Sequence, residues 1–324
     1  MTFPKILFNT WSGAFFKQGG GEVQLLESKE ALEKLGYEIL LFNQWGPQLD
    51  IDLVHQFSIE PGVESVIKNY KESNIPVALS TIMWTLLQRG SHEYQRVEHL
   101  FKTADILFTN SDLESIRLSE AFEIDREKFH KTRNSISNSY LIQGASTLFQ
   151  ERYKIEGPFV LSVANIDNRK NTHLLVKACK ELDIKLVTIG HIKDINYFNS
   201  FIDTFKGYIH LGPIEDEEIL KSAYCSCSLF ALPSKCETPG IAAMEAASQG
   251  AKVTITADGS AKEYFQNQVT YVNPWDYQSI KDGIQIGLNS KSSSELKKNI
   301  IENYTWNKTA TDLLEGYDKI GIRK

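Results

Sequence analysis

The chain has 324 residues, of which 42% are hydrophobic and 23% charged, with a net charge of −6. This is ordinary globular composition with enough apolar material for two cores, and it excludes the basic footprint of a nucleic-acid binder. No apolar run approaches the roughly 20 residues needed to span a bilayer. Met1 to Lys5 leads straight into Ile6-Leu7-Phe8 without a signal-peptide core. Cys179, Cys225, Cys227 and Cys236 have neither zinc nor C-x-x-C spacing, so a cytoplasmic chain with reduced, mostly buried thiols is expected.

The first half alternates strand-like and helix-like segments. Strands are expected at Lys5–Asn9, Tyr37–Phe42, Leu53–Phe57, Val77–Ile82 and Ile106–Thr109. Helices are expected at Glu22–Leu35, Ser65–Ser73, Tyr94–Lys102 and Asp112–Phe122, the last continuing to Arg133. The pattern weakens around 137–153 and then restarts. Strands follow at Phe159–Val163, Lys185–Ile189, Ser228–Leu232 and Lys252–Thr256, with helices at Thr172–Glu181 and Glu215–Tyr224. This rhythm predicts two α/β domains, each a doubly wound parallel sheet, meeting at a boundary near residue 150 and facing a cleft. Ligands of such sheets sit beyond the carboxyl ends of the strands.

The segment Leu232-Pro233-Ser234-Lys235-Cys236-Glu237-Thr238-Pro239-Gly240-Ile241 to Glu245 carries the strongest chemical signal. An apolar strand ends, Thr238 reads as an N-cap with Pro239 at the first helical position, and Glu245 follows one face onward. Free N–H groups at such a helix start favour an anion. The alternative is that Glu245, Ser248 and Gln249 form the solvated face of an alanine-rich helix.

Other strand ends add candidates. Asn165 to Asn171 places Arg169 and Lys170 together before a helix, where the dipole disfavours cations unless an anion is near. Gly19-Gly20-Gly21-Glu22 opens the first helix without the G-x-G-x-x-G spacing of a dinucleotide site. His55 and Trp84 follow strands of the first half, where a packed histidine and a core tryptophan are the competing readings. Arg117, Arg126, Lys128, Lys131 and Arg133 read as a charged surface that leaves room for weak contact with anionic lipid.

With these segments in order, the chain resembles the retaining nucleotide-sugar glycosyltransferases of family 4, with the GT-B architecture. The motifs that carry the likeness are Phe159 to Asn165 with Arg169-Lys170-Asn171, His210-Leu211-Gly212-Pro213-Ile214-Glu215-Asp216, and the E-x7-E pair Glu237 and Glu245. Gly250-Ala251-Lys252-Val253, the turn Gly259 to Glu263 and the terminal segment Tyr304 to Tyr317 complete it. Asn165 stands where many members carry Arg, and Thr81-Ile82-Met83-Trp84 where many carry a histidine.

The resemblance implies a hexosyltransferase that uses a UDP- or GDP-sugar and a saccharide or lipid-linked saccharide acceptor, with no cofactor and no bound metal. It assigns residues 1–150 to the acceptor, 151–303 to the donor, and 304–324 to a helix crossing back to the first domain. Glu237, Lys170 and Arg169 would be catalytic, and Glu245 would hold the ribose. Thr238, Pro239, Gly240, Ile241, Asn165, Gly190, Ile214, Gly20 and Gly21 would contact the donor, and His55 or Trp84 the acceptor. The competing functions are a silent nucleotide-sugar-binding partner of another transferase, or an epimerase or phosphorylase of the same fold.

Overall fold

A computed structural model describes residues 3–16, 19–84 and 87–323. The chain divides into two compact units, Met1–Ser135 with Thr305–Lys324, and Ile136–Tyr304.

In the first unit the strands are β1 (Lys5–Asn9), β2 (Glu38–Leu41), β3 (Leu53–Phe57), β4 (Val77–Ser80), β5 (Ile106–Thr109) and β6 (Phe129–Lys131). They form one parallel sheet in the order β2-β1-β3-β4-β5-β6. Helices α1 (Gly20–Lys34), α2 (Glu64–Glu72), α3 (His92–Thr103) and α4 (Asp112–Phe122) connect them. Ser91 and Ser111 cap α3 and α4 with their hydroxyls. The helix read as continuing to Arg133 stops at Phe122, because Glu123 turns left-handed at φ +53° and the chain then enters β6.

The second unit contains α5 (Leu148–Tyr153), β7 (Phe159–Val163), α6 (Thr172–Glu181), β8 (Lys185–Ile189), α7 (Ile195–Asn199), β9 (Tyr208–His210) and α8 (Glu217–Ser226). It continues through β10 (Leu229–Leu232), α9 (Ile241–Ser248), β11 (Val253–Thr256), α10 (Ala261–Phe265), β12 (Thr270–Val272), α11 (Tyr277–Asn289) and α12 (Ser294–Asn303). Its parallel sheet runs β12-β11-β10-β7-β8-β9, so the strand order reverses between β7 and β10. The break expected near residue 150 falls inside this unit. Tyr140 and Phe149, both buried, pack in one cluster with Phe159 and Tyr224, which ties the preceding segment to the second sheet.

α13 (Trp306–Lys319) returns to the first unit and packs Trp306, Leu313 and Tyr317 against Phe8, Phe57 and Phe108. The Asp312 carboxylate anchors it, accepting from the Arg133 backbone N–H at 3.0 Å and from its guanidinium at 2.7 and 2.8 Å. No helix among the described residues is long and apolar enough to cross a membrane. Cys179 alone among the four free thiols is fully buried; the other three are half-buried.

Candidate functional site

The reversal between β7 and β10 creates the crevice where doubly wound sheets hold ligands. The turn Asn168–Lys170 leaves β7, and the segment Pro233 to Gly240 leaves β10. Asn171, buried and left-handed at φ +61°, joins them by donating its amide to the carbonyls of Pro233 (3.1 Å) and Pro274 (2.7 Å). The Lys235 N–H adds a bond to the Arg169 carbonyl at 2.8 Å.

Across this crevice Lys170 Nζ donates to Glu237 Oε1 at 2.6 Å, with side-chain exposures of 16% and 8%. Two opposite charges so nearly dry attract strongly, and neither tolerates loss of the other. The Glu237 backbone is fixed as well: its N–H reaches the Asp258 carbonyl at 3.1 Å, and its carbonyl accepts from Ser260 N–H at 2.9 Å. Gly259 lies opposite at φ +122°, where any Cβ would overlap the Glu237 carbonyl oxygen. The buried hydroxyls of Ser234 and Ser260 have no hydrogen-bond partner. Arg169 differs from Lys170: its side chain is 57% exposed, with Asp167 3.7 Å away.

Helix α9 begins later than the Thr-Pro pattern suggests. Thr238-Pro239 is a cis peptide, and Gly240, not Thr238, is the N-cap, at φ +95°. Glycine reaches this left-handed conformation without a Cβ penalty, so Ile241 becomes the first helical residue and Pro239 stays outside the helix. Glu245 then lies about 6 Å along the axis from Ile241. Its Oε2 accepts from the Tyr224 hydroxyl of α8 at 2.8 Å. Tyr224 is fully buried, and burial first, then the nearby Glu245 charge, holds its hydroxyl proton firmly in place.

Of the remaining donor-side candidates, Asn165 is half-buried just beyond the end of β7, where the chain is stitched to β8 by Ala164 N–H to the Ile189 carbonyl at 2.9 Å. Gly190 is required there, since a Cβ at φ +146° would overlap the Ala164 carbonyl. Ile214 is half-buried before α8. In the first unit, Gly20 and Gly21 open α1, whose start is already supplied with an acid: the Glu22 carboxylate accepts from Gly19 N–H at 2.7 Å. A Cβ at Gly21 would meet Ile82 at 3.5 Å, an ordinary contact, so the backbone there does not demand glycine on steric grounds.

The acceptor-side expectation fails for His55. It is fully buried, stacked between Phe57 and Phe108, with Nδ1 2.6 Å from the Tyr317 hydroxyl and Nε2 2.9 Å from Ser80 Oγ. Burial pushes its pKa down to about 3, so it is a neutral packing residue. Trp84 is half-buried under the Arg117 guanidinium, 4.9 Å from its ring centre, and its carbonyl accepts from Arg117 Nε at 3.0 Å. Cations of the surface read for weak lipid contact have partners within the first unit. Arg126 and Lys131 pair with Asp112, Arg133 with Asp312, and Lys128 donates to the Lys102 carbonyl.

Residues 147–305 match the family described as "Glycosyl transferases group 1". The serotype-specific mannosyltransferase WbdA of Escherichia coli is 22% identical over 240 residues, 68% of this chain but only 29% of that protein's length. A glycosyltransferase from Rickettsia africae superposes with a TM-score of 0.81 over 99% of both chains at 17% identity. HepE of Anabaena, solved with UDP and glucose, superposes with a TM-score of 0.79 at 15% identity over 97% of this chain and 99% of its own. The fold is that of the GT-B glycosyltransferases, two Rossmann-like α/β units, and the matches together support a glycosyltransferase. Sequence reading gave no role to Tyr224 and named Asn171 only within the motif Arg169-Lys170-Asn171, with no role of its own. Both sit in stretches that look like core and turn, and only their partners in space mark them.

Proposed function

We propose that the chain is a retaining glycosyltransferase that moves a hexosyl group from a UDP- or GDP-sugar to a saccharide acceptor in polysaccharide or glycolipid assembly, without a metal ion. The observation that carries this reading is the Lys170–Glu237 pair at the β7/β10 reversal, with Glu245 farther along α9. The WbdA likeness and the UDP and glucose in HepE support a nucleotide-hexose donor.

On this reading the donor lies against the second unit, and residues of the first unit recognise the acceptor. Glu245, oriented by Tyr224, takes the ribose hydroxyls. The incoming diphosphate draws Lys170 away from Glu237, with Arg169 swinging in from solvent and the N–H groups of Gly240 and Ile241 adding positive potential. Glu237, released from Lys170, faces the sugar. Thr238, Pro239, Asn165, Gly190 and Ile214 shape the donor side. The bond from sugar C1 to the phosphate oxygen breaks, the acceptor oxygen bonds C1 on the same face, and the departing phosphate oxygen receives the acceptor proton. Cationic side chains and oriented N–H groups supply the charge stabilisation a metal would otherwise give.

The test is a thermal-shift screen of UDP- and GDP-sugars followed by product analysis with and without acceptor. A ligand at 100 times its Kd stabilises by about 2.7 kcal/mol. Stabilisation by none of them would end the reading. Sugar release or rearrangement with donor alone would favour an epimerase or phosphorylase, and binding without turnover across acceptors a silent partner.

A further inference from the structure

Left-handed backbone at a non-glycine residue is ordinary beside a helix end. Asn74, Glu123, Lys154, Asp183 and Gln266 follow helices in this way, and Asn171 precedes α6. Ser58 (φ +79°) and Ile82 (φ +43°) do not: they lie just beyond the carboxyl ends of the paired strands β3 and β4. For the β-branched Ile82 that conformation carries a real cost. A single carboxylate holds it there. Glu114, fully buried in the first turn of α4, accepts through Oε1 from Thr81 Oγ1 at 2.6 Å and from the Met83 N–H at 3.0 Å, so one oxygen grips the residues on both sides of Ile82. Its Oε2 accepts from the Asn110 N–H at 2.8 Å, which ties the grip to the exit of β5. Gln56, also fully buried, does the corresponding work next door, donating its amide to the carbonyls of Phe57 (2.8 Å) and Ser58 (3.2 Å). The Ile82 side chain ends over the first turn of α1, 3.5 Å from where a Cβ on Gly21 would stand.

The geometry points to Glu114 as a positioning residue for glycosyl transfer, acting by holding Ile82 in its left-handed turn at the strand-end face of the first unit. A staple that served stability alone has no use for this strain, since glycine takes the same conformation without penalty. Strain that buried groups maintain gathers where geometry is used, and doubly wound sheets hold their ligands beyond these strand ends. The acid itself matters. A carboxylate presents two acceptor oxygens and no hydrogen, whereas an amide in its place turns an NH2 group toward the Met83 or the Asn110 N–H and loses that bond. The part in transfer rests on the proposed function; the grip on Ile82 does not.

The experiment compares Glu114→Gln, Ile82→Gly, their double variant and Thr81→Val with the parent in transfer kinetics and urea unfolding. Glu114→Gln is expected to lower kcat by about ten-fold, with the donor KM and the thermal shift by nucleotide sugar unchanged. Glycine needs no grip to turn left-handed, so in the Ile82→Gly background the same substitution is expected to cost no more than about three-fold. Thr81→Val deletes one bond of the grip and keeps the acid. Its kcat is expected to fall between the parent and Glu114→Gln, and it carries the test should Glu114→Gln not fold. Parent-like kcat in the folded variants overturns the inference. So does an equal loss of kcat in both backgrounds, which would make Glu114 a general support of the fold. Urea midpoints read the grip without any activity: the cost of Glu114→Gln should be smaller in the Ile82→Gly background, and equal costs overturn the inference as well. If the midpoints couple while the parent transfers no sugar, the proposed function falls and the grip on Ile82 stands.

Discussion

The His55 ring and the Tyr317 hydroxyl, 262 residues apart in sequence, meet at 2.6 Å inside the first unit. Every group facing that ring is uncharged: Ser80, Tyr317, Phe8, Phe57 and Phe108. Nothing there compensates a proton.

A pH dependence of stability follows. His55 has a folded pKa of about 3 against 6.5 in the unfolded chain. Below 6.5 the unfolded state takes up a proton that the folded state refuses. Stability is therefore intact above that value and falls as pH drops toward 3, by up to about 1.4 kcal/mol per pH unit. His130, His173 and His210 are also held low by burial and add in the same direction. Urea midpoints of the parent and His55→Gln between pH 7 and pH 5 isolate the His55 share. The variant is expected to show the shallower slope.

Gly259 must remain glycine. Gly259→Ala places a Cβ against the Glu237 carbonyl at a left-handed φ and should cost about 2 kcal/mol or more. Gly250→Ala, also left-handed but with open space around it, should cost roughly 1 kcal/mol. Equal losses in urea unfolding would contradict the steric account.

The Lys170–Glu237 pair predicts non-additive stability. Glu237→Ala leaves a shielded ammonium unpaired and should cost about 3 kcal/mol. The double variant with Lys170→Ala should be closer to the parent than the sum of the two singles, which a double-mutant cycle reads directly. On the proposed function each single variant also abolishes transfer. Parent-like turnover in Glu237→Ala would remove that residue from the chemistry.

Tyr224→Phe deletes one donor to Glu245 and little else. It should lower affinity for the nucleotide portion of the donor by about ten-fold while leaving kcat nearly unchanged, since one hydrogen bond to a charged group is worth roughly 1.5–3 kcal/mol. An unchanged KM for donor would show that Glu245 needs no such orientation.

Much of this architecture is legible in the sequence. Strands β1, β3, β5, β7 and β8 and helix α6 begin and end where their apolar runs and turn residues say they should. Parallel strands buried on both faces read as continuous hydrophobic runs. β6, β9 and β12 escape such reading because each has three residues, too few to show a period, and each is held by pairing to a longer neighbour. The start of α9 was masked by Thr238-Pro239, a plausible cap, whereas backbone freedom at Gly240 decides it. Charged site residues announce themselves at strand ends. Tyr224 does not, because a tyrosine inside an amphipathic helix looks like core until the acid it serves is seen.

The return of α13 to the first sheet has a consequence for the nascent chain. Ile6, Phe8 and Phe108 are translated early, yet the helix that shields them follows the entire second unit. At typical synthesis rates that interval is on the order of ten to thirty seconds. During it the part of that sheet face which α13 covers beside Leu25, Ala31 and Leu32 of α1 stays open, and the second unit has all its own residues by the time α13 is made. The first unit therefore completes its core only after the residues of the second have been made.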